Sequence, residues 1–447
     1  MDAIKENFQK IVSEAKKDGV RVELLIAGGE NISIGYQKRK LDSFESTQSQ
    51  VAGFRVIDGA NQGYAYTENL SDESLLRAYK EAFNNAKTVE SKTKFEIPLT
   101  KPGQKIQALD VNSAEDIPMD EKLAVAQKLE EYCLDADKRI QAVPYSGFDQ
   151  STSFKRILNS EGLDQEFKQS YYTGYSYALA KDGESSKMDG EGFFARRFKD
   201  IDVKEVTQTS VEKAISRLGA VKPETGHFPV VIDRTQFPMV IAMFRAYLSA
   251  QEVDEGKSLF EGKLGQKVAS DKFTLIDDPF ETRGSAVRPF DDEGSPTQKT
   301  VLFENGVLKN FLTNIEYSKK MNLPHTSSAA RSPASPMGIG ATNLVVAKGT
   351  KSLEDLLKKY PKVIHMTEFS GGLHAGYKDT TGDISMPAEG FLYENGKKVA
   401  AIDQFVMSGN VLDLLRDIEE LSNEYNREGS STICPDVLVK SMSFAGK

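Results

Sequence analysis

Residues able to do acid–base or metal chemistry are few in this 447-residue chain, and histidine occurs only four times, at His227, His325, His365 and His374. Imidazole is the usual ligand and base at neutral pH, so its spacing is read first. No two histidines stand at the H-E-x-x-H or H-x-x-x-H interval that puts two rings on one helical face around a zinc ion. His227 precedes the apolar run FPVVID, and His365 lies inside another, PKVIHMTEF. Both read as structural. His325 falls in NLPHTSSAARSPASPMG, a polar loop with the composition of a mobile one. His374 is the most interesting, because FSGGLHAGYKDTTGD surrounds it with Gly371, Gly372, Asp379 and Asp383. A structural loop histidine is still the plainer reading, since loops concentrate function without proving it.

The second candidate is Asp291-Asp292-Glu293, in RPFDDEGSPTQKTVLFENG. Three adjacent carboxylates suit a cation or a peptide amine. They equally suit a turn in which they accept backbone N–H groups, and with no ligand set beside them the turn is favoured. Both segments, Asp291–Glu293 and the loop with Gly371, Gly372 and His374, are expected at the cleft or floor of a dimer. Neither GGLHAG nor MGIGATN has the phosphate-loop or dinucleotide pattern, GYSYAL is not a nucleophile elbow, and no triad is assigned. Cys133 and Cys434, the only cysteines, read as two reduced thiols.

These residues must be positioned by a long series of elements. A helix over Ala3–Lys17 leads into a strand in VRVELLIAGGE and then short strands punctuated by Gly53, Asp58-Gly59 and Gly63. Ser71 caps a helix with Leu75, Leu76, Tyr79, Ala82, Phe83 and Ala86 on its buried face. A polar connector, Thr88–Pro118, precedes a second round: a helix over Met119–Ala136, strands turning at Asn159–Gly162, and a helix over Val203–Gly219. Helix, strands, helix therefore occurs twice, which leaves an internal duplication open. After Pro223 comes the buried strand HFPVVID, then TQFPMVIAMFRAYLSA, read as one helix over Thr235–Ala250 with Thr235 as cap and Pro238 in its first turn. The hairpins KTVLFENGVLKNFLTN and GFLYENGKKVAAIDQF, turning at Asn305-Gly306 and Asn395-Gly396, point to a large antiparallel sheet. Helices over Leu353–Tyr360 and Val411–Asn423 interrupt it, and DVLVKSMSFAG ends the chain as a strand. The fold class is α+β: an N-terminal α+β domain, 1–222, then a C-terminal antiparallel-β-rich domain, 223–447.

Composition bounds the function. Net charge is −9, with 28% charged and 39% hydrophobic residues and no dense basic stripe, which argues against a nucleic-acid surface. The N-terminal MDAIKENFQKIVSEAKKDG is amphipathic and unlike a signal peptide, and no apolar run reaches membrane-spanning length. A cytoplasmic protein is expected.

Three stretches carry a resemblance: LDSFESTQSQVAGFRVIDGANQGYAYTENLSDESL, PFDDEGSPTQKTVLFENGVLKNFLTN and GGLHAGYKDTTGDISMPAEGFLYENGKKVAAIDQFVMSGNVLDLL. In order and at this length they resemble the TldD/PmbA family, peptidase family U62, whose members are also named modulators of DNA gyrase. In that family the TldD branch is a zinc metallopeptidase with H-E-x-x-x-H on a helix and a cysteine ligand near the C-terminus. The PmbA branch, also called TldE, lacks those ligands and pairs with TldD. Here the helix after HFPVVID reads Met239-Val240-Ile241-Ala242-Met243-Phe244-Arg245-Ala246-Tyr247, so no zinc ligand transfers, and Cys434 stands too close to the terminal strand to be the cysteine ligand. The resemblance thus implies a non-catalytic subunit of a heterodimeric peptidase acting on extended or unfolded peptides. It implies no catalytic or metal residue and no cofactor in this chain, zinc in a TldD-type partner, and no direct nucleic-acid or membrane contact. Homodimerisation of the isolated chain stays open. So do two other readings, an autonomous metallopeptidase with an unrecognised metal site and a binding protein acting on gyrase or its inhibitors.

Overall fold

The computed structural model describes residues 2–89, 91, 93–111 and 115–447; residues 90, 92 and 112–114 of the expected connector lie outside the described residues. The chain first forms α1 (Asp2–Lys17), β1 (Arg21–Gln37), β2 (Lys40–Asp58), β3 (Asn61–Thr67) and α2 (Asp72–Thr88). It then repeats the order with α3 (Met119–Ala136), β4 (Ile140–Asn159), β5 (Asp164–Asp182), β6 (Ser185–Ala195) and α4 (Val203–Ser216). The six strands make one antiparallel sheet in the order β3-β2-β1-β4-β5-β6, so the two halves meet back to back at β1 and β4. All four helices lie on one face. Val22, Leu24, Ile26, Phe54 and Val56 bury under α1 and α2, while Phe148, Tyr172, Ala178 and Ala180 bury under α3 and α4. Strand alternation sends the intervening residues, Glu23, Leu25, Arg55 and Ile157, to the other face.

Two expectations change here. The first two strands are long, 17 residues in β1 and 19 in β2, rather than short, while β3, at 7 residues, is short as expected. Gly53 and Gly63 are not turn residues; they lie inside β2 and β3, where other backbones press on them. A Cβ at Gly53 would fall 1.9 Å from Pro333 O, and one at Gly63 would fall 2.0 Å from Ala82 O on α2.

From Gly226 the elements are β7 (Gly226–Ile232), α5 (Phe237–Phe244), α6 (Ala250–Asp254), β8 (Leu275–Asp277), β9 (Thr300–Glu304), β10 (Val307–Leu308), α7 (Ile315–Met321), β11 (Ala329–Ala330), β12 (Gly338–Ile339) and β13 (Leu344–Val346). They continue as α8 (Leu353–Lys358), β14 (Lys362–Phe369), β15 (Tyr377–Lys378), β16 (Asp383–Glu394), β17 (Lys397–Asn410), α9 (Val411–Arg416), β18 (Ile418–Leu421), β19 (Thr432–Ile433) and β20 (Val437–Ala445). Because β14 pairs with both β7 and β16, the path β14-β7-β20-β17-β16 closes into a ring. A second sheet runs β10-β9-β8-β13-β19. The two E-N-G hairpins therefore belong to different sheets, not to one, and β7–β14 and β13–β19 are parallel pairs. Such strands bury both faces, which is why HFPVVID and PKVIHM are nearly continuous apolar runs.

Helix α5 packs in the core that joins ring and second sheet. Phe237, Val240, Ile241 and Phe244 on it, and Leu248 just beyond, are fully buried, each contributing about 1.5–3 kcal/mol of transfer free energy. The expected single helix over Thr235–Ala250 is broken. Its middle is a 3₁₀ turn over Arg245–Leu248, and Ser249 is extended and caps α6 by accepting Gln251 N–H. The break has a tertiary cause, since Leu312 gives its N–H to Leu248 O and accepts that of Ala250, which pulls the chain into a bridge. Thr235 is not the cap; its hydroxyl donates to Asp233. The expected helix over Val411–Asn423 also stops at Arg416, because Ile418–Leu421 pairs with β20 instead.

Candidate functional site

The acidic run lies inside the chain, on the helix-free face of the six-stranded sheet. Asp291, Asp292 and Glu293 are buried, at 0%, 2% and 1% exposure. Asp291 builds the turn: its Oδ1 accepts the N–H groups of Glu293 (3.0 Å) and Ser295 (2.9 Å), and its Oδ2 that of Ala329 (3.1 Å). Asp292 accepts Lys155 Nζ at 2.6 Å and the Arg331 N–H at 2.8 Å. Glu293 meets Arg55 at 3.1 Å and accepts the Ile315 N–H at 2.9 Å. Arg331 in turn reaches Glu23 at 2.9 Å. Leu25, Ile157 and Leu163 close round Phe290 beside this network. Burial, and then the charge of Glu293, pushes the Asp291 carboxyl up to about 8, against the backbone N–H groups that hold it down. Burial likewise raises Glu23, countered by Arg331 and Arg55.

Sequence reading singled out Asp291–Glu293 but missed their partners. The signal was present. Glu23 and Arg55 interrupt the apolar strands VRVELL and GFRVI, and they stand opposite each other in the β1–β2 register. Complementary charges at facing positions of two apolar strands mark a second buried face. The three acids thus lie in a buried intramolecular junction, bonded to Arg55 and Lys155 of the first sheet and to the backbone at Ile315, Ala329 and Arg331.

The Gly371–His374 loop lies elsewhere, and no hydrogen bond or ion pair joins it to the acidic run among the described residues. Gly371 and Gly372 have φ of 80° and 64°, and His374 is exposed in a single 3₁₀ turn. Asp379 and Asp383 do not engage it: Asp379 O accepts the Tyr247 hydroxyl, and Asp383 is held by Thr381 and Asn410. The loop's anchor is Tyr377, whose hydroxyl lies 2.7 Å from that of Tyr247 and donates to Met243 O at 2.5 Å. The end of α5 and the glycine-rich loop are therefore in contact.

The other histidines resolve plainly. His227 is exposed on β7, and His325, expected in a mobile loop, is half-buried beside Asp291 and Glu293. His365 is buried on β14 and bonds Asp233 at 3.0 Å. Burial alone would raise Asp233, but His365 and Thr235 outweigh it and hold the carboxyl below its usual range. Cys133 and Cys434 are buried free thiols, raised by burial.

Among the described residues, two groups bring potential ligand atoms within 4.8 Å of one another: Asp233, His365 and Asp436, and Asp291, Glu293 and His325. Neither suits zinc. Asp436 is taken by the Arg234 guanidinium at 2.8 Å and by Ser422 at 2.9 Å, and Glu293 is taken by Arg55. A cation entering either group would face an arginine already neutralising the carboxylate. Helix α5 carries no His, Cys, Asp or Glu.

Asp233 and Arg234 also line a trough between β6 and the segment Tyr425–Arg427, one cavity of about 750 Å³ adjoining another of about 770 Å³. Sequence reading gave no sign of it, since it exists only where the last strand of the first sheet faces a loop more than 200 residues away.

Comparison with known proteins covers nearly the whole chain. Three family models match in order: the PmbA/TldA metallopeptidase domain 1 at residues 22–86, the central domain at 112–218 and the C-terminal domain at 225–446. A metalloprotease PmbA homolog of Haemophilus influenzae is 26% identical over 97% of this chain and 94% of its own. A metalloprotease TldD homolog of Buchnera aphidicola is 27% identical over 86% of this chain and 81% of its own. A crystal structure from Thermotoga maritima, named as a candidate modulator of a DNA gyrase, superposes with a TM-score of 0.90 at 28% identity, covering 99% of this chain and 100% of that one.

Proposed function

Because the chain belongs to the PmbA/TldD metallopeptidase family, we propose that it is the non-catalytic, PmbA/TldE-like subunit of a two-subunit zinc peptidase. Similarity alone does not choose the branch, since PmbA and TldD relatives match about equally well. The observation that carries the choice is α5. The helix following β7 is where the family resemblance implies zinc ligands, and here its side chains are all apolar, with Phe237, Val240, Ile241, Met243 and Phe244 buried in the core. Packing has replaced coordination. Zinc, with its polarised carbonyl and activated water, belongs to a TldD-type partner. This chain supplies a wall of the peptide chamber, and its substrate class is extended or unfolded peptide.

Co-expression with a TldD-type chain from the same genome tests the proposal. The pair is expected to co-purify and to hydrolyse an unstructured peptide, with activity lost on chelation. The isolated chain, purified from zinc-containing medium, is expected to hold no stoichiometric zinc and to cleave nothing. One tightly held zinc per isolated chain, together with chelator-sensitive peptidase activity, overturns it.

A further inference from the structure

We infer that the outer edge of β6 is a docking rail for an extended peptide, which adds to the six-stranded sheet as a seventh strand. The inference rests on the peptide-chamber reading above and deepens it by naming where this subunit holds the chain. Strand β6 pairs only with β5 among the described residues, so its other edge is open. The parity of that edge is fixed. Lys181 on β5 gives its N–H to Arg139 O on the β4 side. Its partner Ser186, and every second residue after it, therefore turn N–H and C=O away from β5, with no register shift along the pair. Those residues are Met188, Gly190, Gly192 and Phe194.

Among the described residues, only the strand's own side chains occupy the outward amides at its centre. Gly190 N–H donates to the carboxylate of Asp189 at 2.7 Å, and Gly192 N–H to that of Glu191 at 3.0 Å. Both acids have other homes. Asp189 pairs with Arg217 at 2.5 Å, and Glu191 with Lys213 at 2.9 Å and Arg427 at 3.4 Å. A docking peptide can displace the carboxylates from the amides without leaving any of these charges unpaired. Until then they cap an edge that would otherwise invite aggregation.

The surroundings fit one extended chain. Residues 188–196 all line the trough, with Tyr425, Asn426 and Arg427 on its opposite wall. Charged residues beside the glycine edge balance: Asp189, Glu191, Asp233 and Glu368 against Lys213, Arg217, Arg234 and Arg427. The match is to a neutral peptide backbone rather than to a strongly charged ligand. Tyr175, Tyr177 and Met188 stand 40%, 40% and 43% exposed on the same wall. They offer a surface for an apolar side chain, the usual pairing of main-chain affinity with side-chain selectivity in strand addition.

The test uses the full chain and a fluorescein-labelled, unstructured decapeptide with leucine at alternate positions among serine and lysine, read by fluorescence anisotropy. Saturable binding is expected. N-methylation of one alternate set of peptide amides is expected to weaken it roughly tenfold or more, and methylation of the other set to leave it nearly unchanged, because only one set faces β6. Gly192→Pro removes an outward N–H at a position where an edge strand tolerates proline; a Cβ there would lie 3.0 Å from Gly174 O, so a small fall in thermal midpoint is expected together with a loss of binding to the same degree. If that variant fails to fold, the two methylated peptides still decide. Equal binding of both, or no binding, overturns the inference. So does concentration-dependent self-association that Gly192→Pro abolishes, which would assign the edge to a second copy. A Gly192→Pro chain that binds peptide normally while its complex with the TldD-type partner still cleaves would refute the rail and leave the subunit reading standing.

Discussion

Removing Glu23 and removing its partner Arg331 are expected to have different consequences, although the two changes break the same contact. The Arg331 guanidinium is fully buried, and among the described residues Glu23, at 2.9 Å, is the only carboxylate within salt-bridge distance of it. Glu23→Ala leaves a buried cation that cannot neutralise itself, because arginine keeps its proton at any accessible pH. A buried pair broken in this way costs about 3–5 kcal/mol. Arg331→Met leaves a buried carboxyl, which can take up a proton. Its folded pKa is then above the unfolded value of about 4.3, so its stability is greatest at low pH and is lost as pH rises through the folded value. Each pH unit in that window is worth up to about 1.4 kcal/mol. Urea unfolding followed by far-UV circular dichroism at pH 5 and pH 7 is the assay. Glu23→Ala is expected about 3–5 kcal/mol below wild type at pH 7. Arg331→Met should gain on Glu23→Ala by up to about 2.7 kcal/mol on going from pH 7 to pH 5. Glu23→Leu combined with Arg331→Met should recover most of the loss, since an apolar pair leaves nothing uncompensated. A gap between the single variants that does not change with pH, or a Glu23→Ala chain within about 1 kcal/mol of wild type, would refute the reasoning.

Three further outcomes follow from the same geometry. Gly53→Ala forces the Pro333 carbonyl off β2, where a Cβ would meet it at 1.9 Å; a loss of about 1–3 kcal/mol is expected in the same unfolding assay. Asp277 is pushed up to about 6, chiefly by burial, while Thr342 N–H and Oγ1–H both reach its Oδ1. The folded wild type keeps this proton where the unfolded chain has lost it, so stability falls as pH rises from about 4 to 6; Asp277→Asn, which keeps the acceptor, should gain on wild type by up to about 3 kcal/mol between pH 4 and pH 7. His374→Ala, at an exposed loop position, should change stability by less than about 0.5 kcal/mol and leave the zinc content of the complex with its TldD-type partner unchanged.

Local interactions made much of this protein legible in its sequence. Ser71 accepts the Ser74 N–H at the start of α2, and Asn305-Gly306 and Asn395-Gly396 turn their hairpins with φ of 48°, 80°, 50° and 75°, because caps and two-residue turns depend on residues a few positions apart. The repeated order of helix, strands and helix was visible for the same reason, as was the apolar face of α5. Tertiary structure decided where those patterns end. Leu312 stops the helix expected over Thr235–Ala250, and β20 takes Ile418–Leu421 into a strand; an apolar spacing that fits two conformations is settled by whichever partner supplies the missing hydrogen bonds. The acidic run was visible as charge, but not as a buried junction, because its counter-ions Arg55 and Lys155 lie far from it along the chain. The open edge of β6 was invisible altogether. An edge is a property of strand order, and strand order is set by which buried faces meet, not by the residues of the strand that ends up last.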